Sequence, residues 1–194
     1  MADPFLSAAD GSIQAQWLAF EGLIDLRCEE TALPAIESIL QIELPQQANR
    51  YLRRGELSAC WMAPSHWLLR LPEQDESALV AKLTNFAVSA DCSDQAAVTV
   101  VSDAYIGIGL KGPGAMRVLA AGCPLELGRL GPGYCARTLL ARAQVMLIVL
   151  NDRAEYELLV DRSHADYVRQ WLATAVAATS GAIVAAGTNA NGSV

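Results

Sequence analysis

Short runs in which apolar and polar residues alternate occur along most of the chain, separated by stretches in which apolar residues recur at helical spacing. Period-two alternation is typical of strands with one buried face, and a spacing of three or four residues is typical of amphipathic helices. The runs predict strands at residues 22–28, 57–62, 67–71, 98–101, 105–110, 135–141, 145–150 and 156–160. Helical faces are predicted at Leu33, Ile36, Ile39 and Leu40, at Leu79, Leu83 and Phe86, and at Val168, Trp171, Leu172 and Ala175.

Polar and special residues indicate where the predicted helices begin and end. Asp75 can cap the second long helix. Ser163, with Asp166 three residues later, can form a capping box at the last helix. Pro113 and Gly122 enclose a short helix in the usual order, with proline in its first turn and glycine just past its end.

The predicted elements divide the chain into two similar halves, residues 21–90 and residues 96–178. Each half contains a strand, a helix, further strands and a second helix. This arrangement predicts an α+β fold of two βαββα-like halves, with antiparallel sheets and helices on one face. Residues 1–20 show no sustained period and are predicted to be an extended N-terminal arm. Residues 179–194 are predicted to be a flexible tail.

Composition narrows the class of protein. The chain has 194 residues, of which 53% are apolar and 18% charged, and its net charge is −7. A chain of this length buries roughly 70% of its unfolded surface, so it needs no metal or disulfide to stay folded. The apolar composition fits a well-buried α/β chain, and it also fits a chain that buries extra surface against partner subunits. Lysine and arginine form no basic stripe, which disfavours nucleic-acid binding.

The five cysteines, Cys28, Cys60, Cys92, Cys123 and Cys135, are scattered and odd in number. No Cys-x-x-Cys pair occurs, so the sequence supports neither a zinc site nor a thioredoxin-like redox site. The opening residues lack the basic and apolar regions of a signal peptide. No apolar run is long enough to cross a bilayer. We therefore expect a reduced, cytoplasmic protein.

Gly107, Gly109 and Gly112 satisfy the pattern G-x-G-x-x-G. In a dinucleotide site these glycines follow a strand and bring backbone amides to a pyrophosphate at a helix N-terminus. Here the first two glycines lie inside the run that predicts a strand, and only Gly112 reaches the turn before the helix. We therefore predict a strand-to-helix joint, in which Gly107 and Gly109 allow a neighbouring segment to pack closely.

Candidate catalytic side chains are few and isolated. His66 and His164 have neither the spacing of a metal pair nor a nucleophile in a hydrolase motif, so a surface or packing role is the favoured interpretation of both. Glu29, Glu30 and Asp161 could act as catalytic carboxylates only if burial or a partner tuned them. Their simpler interpretations are a loop charge and a helix-entry residue. The sequence thus predicts no catalytic, cofactor-binding or metal-binding residue.

Tyr51, Trp61 and Trp67 form an aromatic group in the first half. Aromatic side chains dominate protein cores, so core packing is the favoured interpretation. The alternative is an anchoring patch at a subunit interface, where tryptophan and tyrosine are enriched.

Several segments together resemble the gamma subunit family of heterotetrameric sarcosine oxidase. Residues 112–127 (GPGAMRVLAAGCPLEL) are similar to the family signature Gly-Pro-x-Ala-x-x-Val-Leu-x-x-Gly-Cys-Pro-Leu-Asp-Leu, with Glu126 in place of the aspartate. Residues 61–69 (WMAPSHWLL) are similar to Trp-Leu-x-Pro-Asp-Glu-Trp-Leu-Leu, with Ser65 and His66 in place of the acidic pair. Further similar segments are Ser102-Asp103, residues 133–139 (GYCARTL), Asp161-Arg162-Ser163 and Trp171-Leu172.

The resemblance implies a fold akin to the folate-binding domain of the glycine-cleavage aminomethyltransferase. It also implies a complex of alpha, beta, gamma and delta chains that oxidises sarcosine to glycine, forms hydrogen peroxide and passes the one-carbon unit to tetrahydrofolate. In that family FAD, FMN, NAD and tetrahydrofolate are held by the other subunits. This chain is therefore expected to be non-catalytic and to pack most directly against the alpha subunit. The shared fold leaves open an alternative, a stand-alone folate-binding protein of the aminomethyltransferase type.

Overall fold

A computed structural model of the chain describes residues 5–89, 96–151, 154–180 and 183–184. These residues form two antiparallel sheets and four α-helices, which confirms the predicted α+β class. The strands are β1 (Leu6–Ala8), β2 (Gln14–Trp17), β3 (Glu21–Cys28), β4 (Tyr51–Arg54), β5 (Leu57–Ala63), β6 (His66–Pro72), β7 (Ala96–Val100), β8 (Tyr105–Lys111), β9 (Cys135–Leu140), β10 (Ala143–Asn151), β11 (Glu155–Asp161) and β12 (Ile183–Val184). The helices are α1 (Leu33–Leu40), α2 (Glu73–Val88), α3 (Ala115–Ala120) and α4 (Ala165–Ser180).

The first sheet has the strand order β4-β5-β6-β3-β7 and packs α1 and α2 against one face. Alternation along β6 explains this packing: Trp67, Leu69 and Leu71 join the core beneath the helices, and Leu68 joins the core on the opposite face. Burial of each large apolar side chain contributes roughly 2 kcal/mol. Because both faces of β6 are covered, apolar residues occupy consecutive positions at Trp67, Leu68 and Leu69 instead of strictly alternating with polar ones.

The second sheet has the strand order β12-β1-β2-β8-β11-β10-β9, with α3 and α4 on one face. Leu110, Leu147 and Leu158 pack there against Val168 and Leu172 of α4. The remaining faces of the two sheets meet in an apolar layer, which we call the intersheet layer. Its buried members are Leu23, Cys60, Leu68, Cys135, Met146, Ile148 and Leu159.

The two halves share one topology. Starting from β3 and from β8, each follows the order strand, helix, three strands, helix, and its sheet places these strands in the same relative positions. The halves also meet reciprocally at their edges: Tyr51 donates its backbone N–H to Gly133 O, and Cys135 donates its own to Asn49 O, both at 3.0 Å. This reciprocity shows an approximate twofold relation between the halves.

One strand is exchanged between the sheets in each direction. β2 leads into β3 of the first sheet but pairs with β8 of the second, and β7 leads into β8 but pairs with β3. The pairings continue past the strand ends, because Leu18 donates its N–H to Gly107 O (2.9 Å) and Val101 donates to Leu23 O (2.8 Å). Each sheet is thus completed by a strand that leads into the other sheet.

This exchange differs from the boundaries that the sequence predicts. The described part of the arm, within residues 1–20, supplies two strands to the second sheet, and the strand predicted at residues 98–101 belongs to the first sheet. β1, β2 and β4 have three or four residues each, too few to show a period. The residues between the two predicted halves, 91–95, lie outside the described residues.

The predicted tail, residues 179–194, lies mostly outside the described residues. Within the described part, α4 continues to Ser180, and β12 pairs with β1 through Ser7 opposite Val184 and Ala8 opposite Ile183. Neither α4 nor any other helix in the described ranges has the length and apolarity needed to cross a bilayer.

Two predicted helix caps are wrong. α2 begins at Glu73, directly after a proline whose fixed φ starts the turn, so Asp75 lies inside the first turn. Ahead of α4, the carboxylate of Asp161 accepts the backbone N–H of Ser163 at 2.9 Å and caps the 3-10 turn Arg162–His164, from which α4 follows. The capping residue is therefore Asp161, two residues before the predicted Ser163.

The glycines of the G-x-G-x-x-G pattern form the predicted strand-to-helix joint. Gly107 and Gly109 belong to β8, and Leu18 covers both. A Cβ at Gly107 would lie 2.9 Å from Leu18 Cβ, and one at Gly109 would lie 3.0 Å from Leu18 Cδ2. Gly112 makes the turn at a φ of +116°, where a Cβ would collide with the backbone carbonyl of Ser12. The close packing predicted for the first two glycines is confirmed.

Candidate functional site

Charged side chains inside the fold collect at the two ends of the intersheet layer, whose middle is apolar and buried. They are carried by β3 and β6, with Glu21 and Arg70 at one end and Asp25 and His66 at the other.

Arg70 forms a buried ionic cluster that joins the two sheets. Its Nε and Nη2 donate to Oε2 of Glu21 on β3, at 3.0 and 2.7 Å, and its Nη1 lies 2.8 Å from Oε2 of Glu157 on β11. The Arg70 side chain is only 7% exposed. Removing one member of a buried charge cluster leaves an uncompensated charge, so the three residues depend on one another.

Electrostatics hold Arg70 in its charged form. Burial alone lowers the pKa of Arg70, but the carboxylates of Glu157 and Glu21 outweigh burial and raise that pKa above its ordinary value. A cavity of about 100 Å³ borders the cluster, and its other lining residues are Tyr51, Arg53, Glu56, Ser58 and Leu150. Since the guanidinium is shared between carboxylates of both sheets, the cluster fixes the position of one sheet on the other.

His66 pairs with Asp25 at the opposite end of the layer. His66 Nε2 lies 2.7 Å from Asp25 Oδ2, and Arg27 Nε lies 3.4 Å from Oδ1 of the same carboxylate. The His66 side chain is 14% exposed. No hydrogen bond joins His66 to a serine or cysteine side chain within the part of the chain that the structure describes. This geometry fits the packing interpretation of His66.

The other candidate side chains are exposed. Asp161, Ser163 and His164 lie together at the entry to α4, where Ser163 Oγ is 3.2 Å from His164 Nδ1 and also donates to Asp161 Oδ1. Hydrogen bonds from Ser163 lower the pKa of Asp161. A catalytic triad needs the histidine between the serine and the carboxylate, whereas here serine bonds the carboxylate directly. Glu29 and Glu30 are exposed charges after β3.

The aromatic residues of the first half belong to two different cores. Trp67 is 1% exposed and donates Nε1–H to the carbonyl of Pro45 at 2.8 Å. Trp61 packs on the same core beneath α1 and α2, whereas Tyr51 packs against the intersheet layer and donates its hydroxyl to Val149 O at 3.4 Å. Because the three rings lie on two faces of one sheet, they support the core interpretation over a shared interface patch.

The described cysteines, Cys28, Cys60, Cys123 and Cys135, are buried and free, and Cys92 lies outside the described residues. Cys60 and Cys135 meet across the intersheet layer, and the hydrogen bond between their thiols, together with burial, raises the pKa of Cys60 well above its ordinary value. Burial also raises the pKa of Cys28 to about 11. Within the described ranges, no group of histidine, cysteine and acidic side chains is placed to hold a metal ion.

Sequence reasoning missed the ionic cluster. One signal was visible, because Arg70 is a single charge inside the apolar run at residues 67–71. A buried charge requires compensating partners. Those partners, Glu21 and Glu157, lie on strands distant in sequence, and only the fold brings them together.

Two facing antiparallel sheets with outer helices define an aminomethyltransferase-like fold. The glycine cleavage system aminomethyltransferase T from Bartonella henselae has a similar structure, with a TM-score of 0.59 at 15% sequence identity. The match covers 81% of this chain and 44% of that chain. This chain therefore shares the fold while spanning less than half of that protein.

The family is shown by the sequence. The model of the sarcosine oxidase, gamma subunit family matches residues 27–178, and the chain belongs to this family. A solved chain of the heterotetrameric sarcosine oxidase from Corynebacterium sp. U-96, in complex with pyrrole 2-carboxylate, is similar at a TM-score of 0.81 and 24% identity. That match covers 93% of this chain and 91% of that chain. No curated protein matches the chain.

Proposed function

We propose that the chain is the gamma subunit of a heterotetrameric sarcosine oxidase and has no catalytic role of its own. The observation that carries the proposal is the family match over residues 27–178. In this proposal the complex oxidises sarcosine to glycine, forms hydrogen peroxide and passes the one-carbon unit to tetrahydrofolate. The likeness to a chain of the corynebacterial oxidase over nearly the full length of both chains supports it.

The interior of the fold supports a structural role. Arg70 is compensated by two carboxylates, and His66 is paired with Asp25. Leu18 fills the space over Gly107 and Gly109, where a ligand would otherwise approach the backbone. The side chains that could bind or activate a substrate are thus engaged in contacts within the fold.

In this proposal the partner subunits hold FAD, FMN, NAD and tetrahydrofolate, and the gamma chain stabilises the alpha subunit by packing against it. Subunit interfaces are rich in apolar and aromatic residues at their centres. The chain offers such surface, since several large apolar side chains are exposed: Phe20, Leu52, Val88, Val100, Leu139 and Tyr167. The buried free thiols suit a reducing cytoplasm.

Co-expression with candidate alpha, beta and delta chains tests the proposal. The four chains are expected to co-purify in equal amounts and to produce hydrogen peroxide from sarcosine. Omitting the gamma chain should lower the recovery of assembled complex. His66→Gln should leave turnover per bound flavin unchanged, because a non-catalytic subunit supplies no reacting group. A gamma chain that stays monomeric beside all three partners would contradict the proposal.

The aminomethyltransferase-like fold favours one second candidate, a stand-alone folate-binding protein. Titrating the purified chain with tetrahydrofolate separates the two, with intrinsic tryptophan fluorescence as the readout. Saturable binding at micromolar concentration by the chain alone would favour the second candidate. Binding that appears only after the alpha chain is added would favour the gamma-subunit role.

A further inference from the structure

Part of the sheet edge formed by β9 is open. β9 is the last strand of the second sheet and pairs on one side only, with β10. At its start the edge is closed, because Cys135 donates its N–H to Asn49 O at 3.0 Å. At its end Ala141 donates its N–H to Gly122 O at 2.8 Å. In the part of the chain that the structure describes, no strand pairs with the outer side of β9 between these two points.

The outward backbone groups of this edge can be assigned. The N–H of Cys135 points away from β10, and backbone groups alternate in direction along an antiparallel strand. The N–H and C=O groups of Arg137 and Leu139 therefore also point outward. Within the described ranges, these outward groups have no backbone partner. Open edges of this kind are normally covered or blocked, because they pair readily with other chains.

Two side chains of the same edge, Arg137 and Leu139, are also exposed to solvent. Leu139 is 44% exposed. Arg137 is exposed and forms no ion pair or hydrogen bond with any described side chain. Both border a groove of about 290 Å³, which is also lined by Pro124, Thr138 and Gln144. The edge thus presents a free cation and an apolar side chain beside open backbone groups.

Arg53 provides an internal comparison. It lies on β4, the edge strand of the first sheet that corresponds to β9, and its Nε donates to the carbonyl of Gly55 at 3.0 Å. The guanidinium of Arg53 is therefore engaged by its own chain, whereas that of Arg137 is available. Because the open edge carries a cation without a counter-charge, the group that complements it is a carboxylate.

We propose that the β9 edge, residues 136–140, docks an extended segment of a partner subunit. The segment adds a strand through the outward groups of Arg137 and Leu139, places a carboxylate on Arg137 and covers Leu139 with an apolar side chain. A second copy of this chain is a poorer occupant, because pairing two β9 edges would bring two arginines together without a carboxylate. This inference rests on the proposed function, which supplies the partner.

Affinity measurements with edge variants test the inference. The purified chain is titrated onto the assembly of the other three subunits. Arg137→Glu reverses the charge, and Leu139→Pro removes one outward N–H without touching the hydrogen bonds to β10. Each variant is expected to bind about tenfold more weakly or worse, since both act on the docked segment. Arg53→Glu makes the same charge change on β4 and is expected to stay within about threefold of the unmodified chain.

Hydrogen exchange provides a second readout that does not depend on a variant. In the free chain the amides of Arg137 and Leu139 should exchange fast, and in the complex they should be protected by about tenfold or more. Circular dichroism confirms that each variant is folded.

The outcomes are distinguishable. If the unmodified chain assembles, while both variants bind equally well and the two amides stay unprotected, the docking inference is wrong and the proposed function stands. Protection that appears in the isolated chain at high concentration identifies a second copy as the occupant and also overturns the inference. If the unmodified chain binds none of the three subunits, the proposed function fails and the inference fails with it.

Discussion

Arg70 of β6 and Glu157 of β11 form an ion pair across the two sheets, with Nη1 2.8 Å from Oε2. The apolar contacts of the intersheet layer are non-directional and could tolerate small shifts of one sheet on the other. A charge-assisted hydrogen bond has a fixed geometry. This pair, shared with Glu21, therefore sets the register between the sheets.

Arg70→Met should destabilise the chain by about 2–3 kcal/mol, because it removes a buried cation and leaves two partly buried carboxylates without a counter-charge. Urea unfolding at neutral pH measures the change. Adding Glu21→Gln and Glu157→Gln to the same variant should recover most of the loss. As a matched control, Arg169→Met removes an exposed ion pair with Asp166 and should cost less than about 1 kcal/mol. Equal costs for the two arginine variants would count against a stabilising cluster.

Gly109→Ala should destabilise the chain by about 1–3 kcal/mol, because the new Cβ overpacks against Leu18 Cδ2. In a Leu18→Ala background that atom is gone, and the added cost should nearly vanish. Gly107→Ala should not be rescued in the same background, because its nearest neighbour is Leu18 Cβ, which alanine retains. Gly128→Ala meets nothing within 4 Å and serves as the control. Equal rescue at both positions would disprove the contact assignment.

Each sheet is completed by a strand that leads into the other sheet. The two halves are therefore predicted to unfold together. The four tryptophans allow a direct test. Trp17→Phe with Trp171→Phe leaves reporters only in the core of the first sheet, and Trp61→Phe with Trp67→Phe leaves them only in the core of the second. Fluorescence-detected urea midpoints of each variant should coincide with its own circular dichroism midpoint. Separate transitions would show that the halves are independent.

Cys28 predicts a loss of stability at alkaline pH. Its pKa is raised by burial from 9.0 to about 11, so the folded state holds the proton more tightly than the unfolded state. The resulting stability is fully present below pH 9 and is lost as the pH rises from about 9 to 11. Cys28→Ala should flatten this part of the profile, measured as urea-unfolding free energy at pH 8 and pH 10.5. A slope that is unchanged in the variant would assign the loss to another group, such as Cys60.

Long strands with clear patterns were predictable from the sequence. The run at residues 145–150 lies within β10 and the run at residues 105–110 within β8, because their apolar residues face covered surfaces. Short strands were not predictable, since three or four residues show no period. The exchange of β2 and β7 was not predictable either, because a strand's partner is decided by long-range pairing and not by its own residues.

The contacts of the candidate site residues also depend on long-range pairing. Asp25, the partner of His66, could not be inferred from the sequence, because it lies on a different strand, 41 positions away. The open edge at Arg137 had no sequence signal, because exposure of a strand edge depends on the order of strands in the sheet.

The strand exchange also orders events during synthesis. A chain leaves the ribosome from its N-terminus, and its domains fold as they emerge. The first sheet, β3 to β7, can close as soon as β7 is made, whereas β2, made before all of them, must wait for β8. The nascent chain therefore carries β2, paired only with β1, with its other edge open beyond completion of the first sheet. That interval is when pairing with a wrong neighbour is easiest, and when early contact with a partner subunit would protect it most.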